Sequence, residues 1–474
     1  MRFFRLLLLV ATSLASAQTY DLVIANGRVI DPETKLDGTR NVGISGGTIR
    51  AVSEGPLTGR ATIDAKGLVV TPGFIDLHSH GQDAENYRYK AMDGVTTALE
   101  LEVGVADVNA WYAERENRSL INFGATVGHI PLRMKLMNDP GAFLPSGPAA
   151  HRAATPAEIE ELKRGLRRGL DQGALGVGFG FMYTEAATYW EMLEMFRVAG
   201  EKHATSYVHM RHAGPVEPGG VVGLSEVLAD ALAGGGPLHI VHLNSMSLTL
   251  PVFQQMIRTI EDARGENGHP GLDVTTECYP YTASQTRIES AIYDEGWQQR
   301  LGITYHDLEW PETGERLTAE TFAKYRKIGG SVMAHSMSEE MIRAAVAHPL
   351  VMIASDGSLT GGKGHPRGVG TFARVLGRYV REQKALSLND AIAKMTLMPA
   401  QRLGVKNRGR VQVGSIADLS IFDADRVADR ATYAKPAEFS TGFRYVLVNG
   451  EFAVRDGKPV DGGHAGKAVR GALK

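Results

Sequence analysis

The middle of the chain alternates apolar runs with stretches of helical character. Eight of the apolar runs are predicted as strands, and they cover residues 72–80, 95–104, 121–129, 173–181, 205–211, 237–245, 273–282 and 350–357. Continuous apolar strands between helices are typical of a parallel sheet that is covered on both faces. Eight such units predict the α/β class, with a (β/α)8 barrel of the TIM type over residues 71–404.

The gap between the last two predicted strands is unusually long. It covers about residues 285–348 and contains several large aromatic residues, namely Trp297, Tyr305, Trp310 and Tyr325. A segment of this length inside a compact domain usually has a function of its own. An insertion at the catalytic end of a barrel is expected to be a lid.

The two ends of the chain differ from the middle, because both consist of short β-rich runs. Asn26-Gly27 and Asn449-Gly450 each follow or join such runs, and Asn-Gly is a strong signal for a hairpin turn. We expect residues 18–70 and 405–465 to pair into one small β-sandwich of discontinuous sequence.

The first 17 residues have the pattern of a secretory signal peptide. Arg2 and Arg5 flank a short apolar run, and small residues follow it up to Ala17. The apolar run is too short to span a bilayer as a stable helix. We therefore expect cleavage after Ala17, a periplasmic or secreted protein, and no stable membrane span after cleavage. The alternative is that the segment stays attached as an uncleaved anchor.

Composition excludes several classes of protein. The chain is 43% hydrophobic and 22% charged, an ordinary globular balance that excludes a disordered or multi-span membrane protein. Its 51 Lys and Arg residues oppose 53 Asp and Glu residues, so no basic excess indicates a nucleic-acid partner. The one cysteine, Cys278, cannot form an internal disulfide, and as an isolated thiol in an apolar strand it is expected to be a packing residue.

Residue types that bind metals occur at the C-terminal ends of several predicted strands. They are His78 and His80 on the first strand, His209 on the fifth, His242 on the sixth and Asp356 on the eighth. Active sites of TIM barrels form at this end of the strands, and residues at i and i+2 on a strand point the same way. Imidazole and carboxylate together suit Zn²⁺ or a similar divalent metal. The sequence therefore predicts a metal site at this rim.

These residues and several further motifs resemble a known family. The stretch 72–80, together with His209, His242 and Asp356, resembles the amidohydrolase superfamily. The motifs that narrow the resemblance to the D-aminoacylase (N-acyl-D-amino-acid deacylase) branch are at residues 94–97, 279–281, 355–357, 365–367, 370–372 and 399–404. The resemblance covers nearly the whole mature chain, and it implies a metal-bearing barrel with a small β-sandwich built from both chain ends.

The chain departs from the resemblance at the ligand that bridges the metals. Many superfamily members use a carboxylated lysine on strand four, and D-aminoacylases use a cysteine at the end of strand two. Strand four has no lysine and strand two has no cysteine here, but Glu100 and Glu102 lie on one face of strand two. Because a charge in an apolar strand is costly unless it is paired or bound to metal, we expect Glu102 to be the missing anionic ligand. Glu100 is the reserve candidate, and the alternative is that both glutamates pair with Lys or Arg.

A second departure concerns the substrate. In D-aminoacylases a lysine two residues after the strand-six histidine, a tyrosine and the arginine of a His-Pro-Arg motif grip the substrate carboxylate. Here Asn244 stands at the lysine position, whereas Tyr279 and Arg367 are retained. Arg287 could restore the positive charge, since a guanidinium matches a carboxylate bidentately. The alternative for Arg367 is a loop salt bridge.

The resemblance implies a hydrolytic mechanism. A metal generates hydroxide from its bound water near neutral pH, and Asp356 is expected to accept the proton and pass it to the leaving amine. Tyr281 or His212 could help the metal to stabilise the oxyanion. We expect one tight Zn²⁺ site, with a second site that is weaker or empty. The tight site would use His209, His242 and Glu102, and the second would use His78, His80 and Asp356.

The predicted function is an exported, metal-dependent amidohydrolase. Its expected substrate is a small-molecule amide with a carboxylate, most simply an N-acyl-D-amino acid that loses its acyl group. A cyclic amide or imide hydrolase, or a dipeptidase, could use the same site. A hypothesis from another class is a metal-free interaction protein on the same scaffold, but retention of all four histidines and Asp356 argues against it.

Overall fold

The structure is a computed structural model that describes residues 19–265 and 271–471. The predicted signal peptide, residues 1–17, and its cleavage site lie outside these residues. Within the two described ranges, the helices lack the combination of length and apolar character that crossing a membrane requires.

The secondary structure follows the predicted alternation of strands and helices. In chain order the strands are β1 (Thr19–Asp31), β2 (Leu36–Ser45), β3 (Thr48–Ser53), β4 (Thr58–Asp64), β5 (Val69–Pro72), β6 (Phe74–Asp76), β7 (Val95–Val105), β8 (Asn122–Gly128), β9 (Val177–Gly180), β10 (Ser206–His209), β11 (Leu238–Ile240), β12 (Val274–Cys278), β13 (Ala283–Arg287), β14 (Leu308–Trp310), β15 (Glu315–Arg316), β16 (Ser331–His335), β17 (Val351–Ile353), β18 (Leu359–Thr360), β19 (Lys363–Gly364), β20 (Leu419–Phe422), β21 (Phe443–Val448), β22 (Glu451–Arg455) and β23 (Lys458–Pro459). The α-helices are α1 (Ala84–Met92), α2 (Val108–Arg115), α3 (His129–Met137), α4 (Pro148–His151), α5 (Pro156–Asp171), α6 (Tyr189–Glu201), α7 (Gly220–Gly234), α8 (Leu243–Ser247), α9 (Leu250–Ala263), α10 (Trp297–Leu301), α11 (Ala319–Ile328), α12 (Glu339–Ala347), α13 (Arg367–Arg374), α14 (Leu388–Met395) and α15 (Leu397–Arg402). Short 3-10 turns cover Phe181–Tyr183, Ala291–Tyr293 and Tyr305–Asp307, and a π-helix covers Val375–Glu382.

Eight parallel strands form the predicted barrel. They are hydrogen-bonded in the order β17-β12-β11-β10-β9-β8-β7-β6. The ring closes beyond the ends of β6 and β17, where the Asp356 amide donates to the His78 carbonyl at 2.7 Å and Ser79 pairs with Gly357. Each barrel strand falls on one of the eight predicted apolar runs, so the (β/α)8 prediction is confirmed.

A buried ion pair fastens the first barrel strand to the last. Lys90 Nζ on α1 lies 2.8 Å from Asp76 Oδ2, and the Ser355 amide donates to Asp76 Oδ1 at 3.0 Å. The Ser355 hydroxyl also donates to Asp76 Oδ2 at 2.6 Å. Asp76 and Ser355 lie just before His78 and Asp356 in the chain. The bonds between them therefore fix the relative positions of these two rim residues.

Strands from both chain ends form one nine-stranded sheet beside the barrel. In the order β23-β22-β21-β20-β5-β1-β2-β3, the link between the two ends is the antiparallel pairing of β20 with β5, and β4 adds to β1. Residues such as Ile24, Val42 and Leu419 form its apolar core. The predicted pairing of the two ends is therefore confirmed. After β23 the chain returns to the barrel, where the Val469 amide donates to the Phe123 carbonyl at 2.8 Å.

The long insertion forms a small layer of its own above the barrel rim. Strands β13, β16, β14 and β15 make an antiparallel sheet in that order, and α10 and α11 pack with it around buried aromatic residues such as Trp297 and Trp310. Helix α12, by contrast, packs against α9 and β17 as part of the barrel wall. The insertion thus spans β13 to β16 and ends before the limit of residue 348 that the sequence suggested.

Candidate metal centre

The first group of predicted ligands meets at the end of β6. His78 Nε2 lies 2.7 Å from Glu102 Oε2 and 3.4 Å from Asp356 Oδ1. His80 Nε2 lies 3.3 Å from each of the same two oxygens. The candidate ligand atoms of these four residues all lie within 4.8 Å of one another. The structure therefore brings His78, His80, Glu102 and Asp356 into one cluster.

The second group meets on the other oxygen of Glu102. His209 Nδ1 lies 2.7 Å from Glu102 Oε1, and His242 Nε2 lies 3.6 Å from it. These three residues form a second cluster, whose candidate ligand atoms also lie within 4.8 Å of one another. Glu102 is 3% exposed and belongs to both clusters, with one oxygen turned to each. A carboxylate in this position can hold two metal ions side by side.

The neighbouring Glu100 does not face these clusters. Its Oε2 lies 2.8 Å from His80 Nδ1, on the outer side of that ring, and its Oε1 accepts from the Val103 amide at 3.2 Å. Neither Glu100 nor Glu102 forms an ion pair with Lys or Arg within the described chain. The geometry thus favours Glu102 over Glu100 as the strand-two ligand and makes Glu100 a residue that orients His80.

Sequence reasoning missed Glu277, a buried carboxylate on β12. Its Oε1 lies 2.6 Å from His78 Nδ1, and its Oε2 lies 3.2 Å from His239 Nε2. Outer partners of this kind fix the orientation and tautomer of a ligating histidine. The signal was available, since a glutamate in an apolar strand demands a partner for the same reason that Glu102 does.

Charge in the cluster keeps its carboxylates ionised. Burial alone would raise the pKa of Glu102, but the His78 ring and the hydrogen bond from His209 bring that pKa well below its ordinary value. Burial likewise opposes ionisation of Asp356, yet the charges of Arg367 and then His78 lower its pKa below its ordinary value. Both groups are therefore anions near neutral pH, as metal ligation and proton acceptance require.

Two of the predicted site residues have an uncommon backbone conformation. His242 has φ 33° and Asp356 has φ 50°, in the left-handed region that non-glycine residues rarely adopt. Such conformations persist only where the surrounding structure enforces them, and they concentrate at functional sites. Helix α8 begins directly after His242, so the sixth predicted run ends as a helix and not as a strand.

A cavity of about 280 Å³ opens above the metal cluster, with His80, Glu102, His209, His242 and Asp356 among its lining residues. The insertion supplies one wall of the cavity through residues of β13 and of the segment that follows it. The Tyr183 hydroxyl lies 3.0 Å from Thr286 Oγ1 and so links the barrel rim to this wall. The insertion therefore forms part of the cavity wall, and its role as a lid stays a prediction.

Arg367 contacts the predicted general base. Its Nη1 lies 2.9 Å from Asp356 Oδ2, its Nη2 donates to the Gln285 carbonyl at 3.2 Å, and the side chain is 2% exposed. The Tyr279 ring lies 4.5 Å from the guanidinium carbon. Tyr279 itself is fully buried and does not line the cavity. In this structure it therefore packs against Arg367 and does not face a substrate.

Arg287 lines the cavity but is already paired. Its Nε donates to Glu289 Oε1 at 2.6 Å. The predicted oxyanion donors are not brought to the cluster, because neither Tyr281 nor His212 lines the cavity. Cys278 is buried in the core, where burial raises the pKa of its thiol to about 12, and its predicted role in packing is confirmed.

The donor set fits a divalent metal such as zinc. Four imidazoles and two carboxylates converge at the C-terminal ends of parallel strands, and zinc takes nitrogen and oxygen ligands of these kinds. A parallel barrel with such a cluster at its strand ends is typical of metal-dependent hydrolases. The chain belongs to the amidohydrolase family, whose family model matches residues 61–454.

Comparison with known proteins shows which members of this family the chain is similar to. The N-acyl-D-glutamate deacylase of Alcaligenes xylosoxydans xylosoxydans is 33% identical, over 91% of this chain and 93% of the relative. The crystal structure of N-acyl-D-glutamate deacylase from Bordetella bronchiseptica, complexed with zinc and a phosphonate inhibitor, has a TM-score of 0.81 at 30% identity and covers 96% of this chain and 100% of that chain. A structure of D-aminoacylase, solved in work on its binuclear metal centre, has a TM-score of 0.81 at 27% identity with the same coverage. The predicted resemblance to the D-aminoacylase branch is confirmed.

Proposed function

We propose that the protein is a zinc-dependent deacylase that hydrolyses the linear amide of N-acyl-D-amino acids. The observation that carries this proposal is the position of Glu102 between two histidine clusters at the base of a cavity that also contains a buried arginine. Similarity to N-acyl-D-glutamate deacylase and to D-aminoacylase supports the substrate class.

Zinc held by these residues would supply a Lewis acid for the amide carbonyl and would acidify water. In the proposal, His209, His242 and Glu102 through Oε1 would form the tighter site. His78 and His80 form the second, together with the other oxygen of Glu102 and with Asp356.

Asp356 is the general base and acid of the proposal. Its carboxylate is ionised, it faces the metal cluster through Oδ1, and it lines the cavity. It accepts the proton of the attacking water and passes it to the leaving nitrogen. The Arg367 guanidinium on Oδ2 holds the carboxylate in this orientation.

Arg367 also anchors the substrate carboxylate in this proposal. Its Nε has no hydrogen-bond partner among the described residues although the side chain is almost fully buried. An unsatisfied donor on a buried guanidinium is costly, and the Arg367 guanidinium lines the cavity with a geometry that matches a substrate carboxylate. Asn244, which stands where D-aminoacylases have a lysine, is buried and donates to the Tyr279 carbonyl at 3.3 Å, so it adds no charge.

A substrate screen tests the proposed activity. Zinc-loaded mature protein is assayed for release of free amine or acid from paired N-acetyl-D- and N-acetyl-L-amino acids, dipeptides and cyclic amides. We expect turnover of the D-series and weaker or no turnover of the other classes. Turnover confined to cyclic amides or to dipeptides would refute the proposal.

We also propose that the protein is exported. The support is the sequence pattern of the first 17 residues. The test is expression of the full chain in a Gram-negative host, followed by cell fractionation and N-terminal sequencing. A periplasmic protein that begins at Gln18 is expected, and a cytoplasmic protein with its first residues intact would contradict the proposal.

A further inference from the structure

Apolar side chains form part of the cavity wall. The lining includes Phe143, Leu144, Met246, Leu248 and Ile292, together with hydroxyl residues such as Ser284 and Thr286. The apolar part of this wall stabilises an apolar group through burial, whereas the hydroxyls offer a carboxylate hydrogen bonds but no opposite charge. The side chain that a substrate places there therefore decides how well the substrate binds.

Positive charge in this cavity is scarce. Among the described lining residues the arginines are Arg287 and Arg367, and there is no lysine. Arg367 is committed to Asp356 and, in the proposed function, to the substrate α-carboxylate. A second carboxylate, as in a D-glutamate or D-aspartate substrate, would depend on Arg287.

Glu289 neutralises Arg287 and is itself held at both oxygens. Its Oε1 accepts from Arg287 Nε at 2.6 Å, and its Oε2 accepts from the Gly330 amide at 3.0 Å. A substrate carboxylate would have to displace an anion that is already fixed to the insertion by two hydrogen bonds. Arg287 is therefore not available to a second carboxylate at low cost.

The position of Arg287 makes this neutralisation relevant to substrates. Gln285, whose carbonyl contacts Arg367, precedes Arg287 by two residues on the same strand β13. Two residues of a strand span about 7 Å, so the two guanidinium groups approach the cavity from neighbouring points of one wall. In the proposed function, a substrate anchored on Arg367 would therefore lie beside the wall that carries Arg287.

We propose that Glu289 is a specificity-determining residue, which cancels Arg287 and makes the enzyme selective for N-acyl-D-amino acids with uncharged, apolar side chains over acidic ones. This inference rests on the proposed deacylase function. The inferred preference differs from that of the similar N-acyl-D-glutamate deacylases, because Glu289 neutralises the arginine that a second carboxylate would need. Specificity is set by unfavourable contacts as much as by favourable ones.

The test compares kcat/KM of the zinc-loaded enzyme for N-acetyl-D-leucine, N-acetyl-D-glutamine and N-acetyl-D-glutamate. Glutamine and glutamate have nearly the same shape, so their ratio isolates the effect of charge. For the wild-type enzyme we expect leucine to be the best substrate, and glutamine to exceed glutamate by at least about tenfold. Glu289→Gln removes the neutralising charge, and it should raise kcat/KM for glutamate by about tenfold or more while leucine changes by less than about twofold.

Two further variants make the result specific. Glu309→Gln is the matched control, because Glu309 lies in the same insertion, pairs with His335 and Arg316, and does not line the cavity. It should leave kcat/KM for all three substrates unchanged. Adding Arg287→Met to Glu289→Gln should abolish the gain for glutamate, because the freed guanidinium is then absent.

The outcomes distinguish the inference from the function on which it rests. A wild-type enzyme that cleaves the glutamate substrate as well as the glutamine substrate overturns the inference and leaves the deacylase function intact. A glutamate gain in Glu289→Gln that survives Arg287→Met also overturns it. Absence of turnover with all three substrates, while cyclic amides or dipeptides are cleaved, overturns the proposed function and this inference together.

Discussion

Replacing Glu102 with glutamine tests the centre of the site, because it removes the one anion shared by both clusters. The amide keeps the shape of the side chain but has no charge and only one acceptor oxygen. Glu102 Oε1 faces His209, and Oε2 faces His78, each at 2.7 Å. The variant therefore leaves the two histidine clusters without the carboxylate that they share.

The burial of Glu102 sets the size of the effect. At 3% exposure the group belongs with buried charges and not with screened surface pairs. Removing one partner of a buried charge pair costs about 3–5 kcal/mol. Since about 1.4 kcal/mol corresponds to a tenfold change, zinc binding should weaken roughly 10²–10⁴-fold.

Glu100→Gln is the matched control for this experiment. Glu100 lies two residues away on the same strand, but it contacts only the outer nitrogen of the His80 ring among the candidate ligands. Loss of such an outer partner typically costs about 10–100-fold in metal affinity. The expected order of zinc affinity is therefore wild type, then Glu100→Gln, then Glu102→Gln.

The assay is competition with a chelator of known zinc affinity, combined with elemental analysis and thermal unfolding of each variant. Unfolding shows that the barrel is intact, and Glu102→Cys should recover tight zinc binding, since thiolate is a strong zinc ligand. If Glu102→Gln retains zinc through dialysis while Glu100→Gln loses it, the two roles are exchanged. If neither loses zinc, the anion that holds the metal is another residue.

Three further predictions concern the reaction and the fold. Asp356→Asn should lower kcat by about 10²–10⁴-fold while the protein keeps its zinc by elemental analysis, and near-normal turnover of the zinc-loaded variant contradicts its role as base. Arg367→Met should raise KM for substrates with a free α-carboxylate much more than for their carboxamide analogues, and equal increases reject it as the anchor. Lys90→Met removes the only cation paired with the buried Asp76 carboxylate among the described residues, so the free energy of unfolding measured with denaturant should fall by about 3–5 kcal/mol. The control is Lys202→Met, because Lys202 pairs with Asp171 at the surface at 2.6 Å. It should cost at most about 1 kcal/mol, and equal losses would show that burial of the Lys90 pair has no special weight.

The barrel was predictable because its strands are buried on both faces. A run such as residues 121–129 consists mostly of apolar and small residues, and such runs spaced by helices have few other arrangements. The rim residues were predictable for a related reason, because the parallel topology places every strand end on the same face. The prediction of the metal cluster therefore followed from that of the barrel.

Other features depended on tertiary contacts that no local pattern reveals. The sixth predicted strand was too long, because His242 adopts a left-handed conformation and α8 starts after it. The insertion was drawn too long at its C-terminal side, since α12 packs on the barrel. The pairing of Arg287 with Glu289 depends on side-chain geometry, so the sequence could supply the charge of Arg287 but not its neutralisation.

The outer contacts of the histidines also show how the site is held in shape. His78 and His80 each form a hydrogen bond through Nδ1 to a carboxylate outside the cluster, and each turns Nε2 inward. The carboxylates are those of Glu277 and Glu100 respectively. His209 differs, because it turns Nδ1 inward and its Nε2 has no hydrogen-bond partner among the described residues. Its ring is instead packed against the Tyr183 ring at a centroid distance of 4.8 Å. Since the Tyr183 hydroxyl also contacts Thr286 of the insertion, the orientation of His209 is linked to the placement of the insertion.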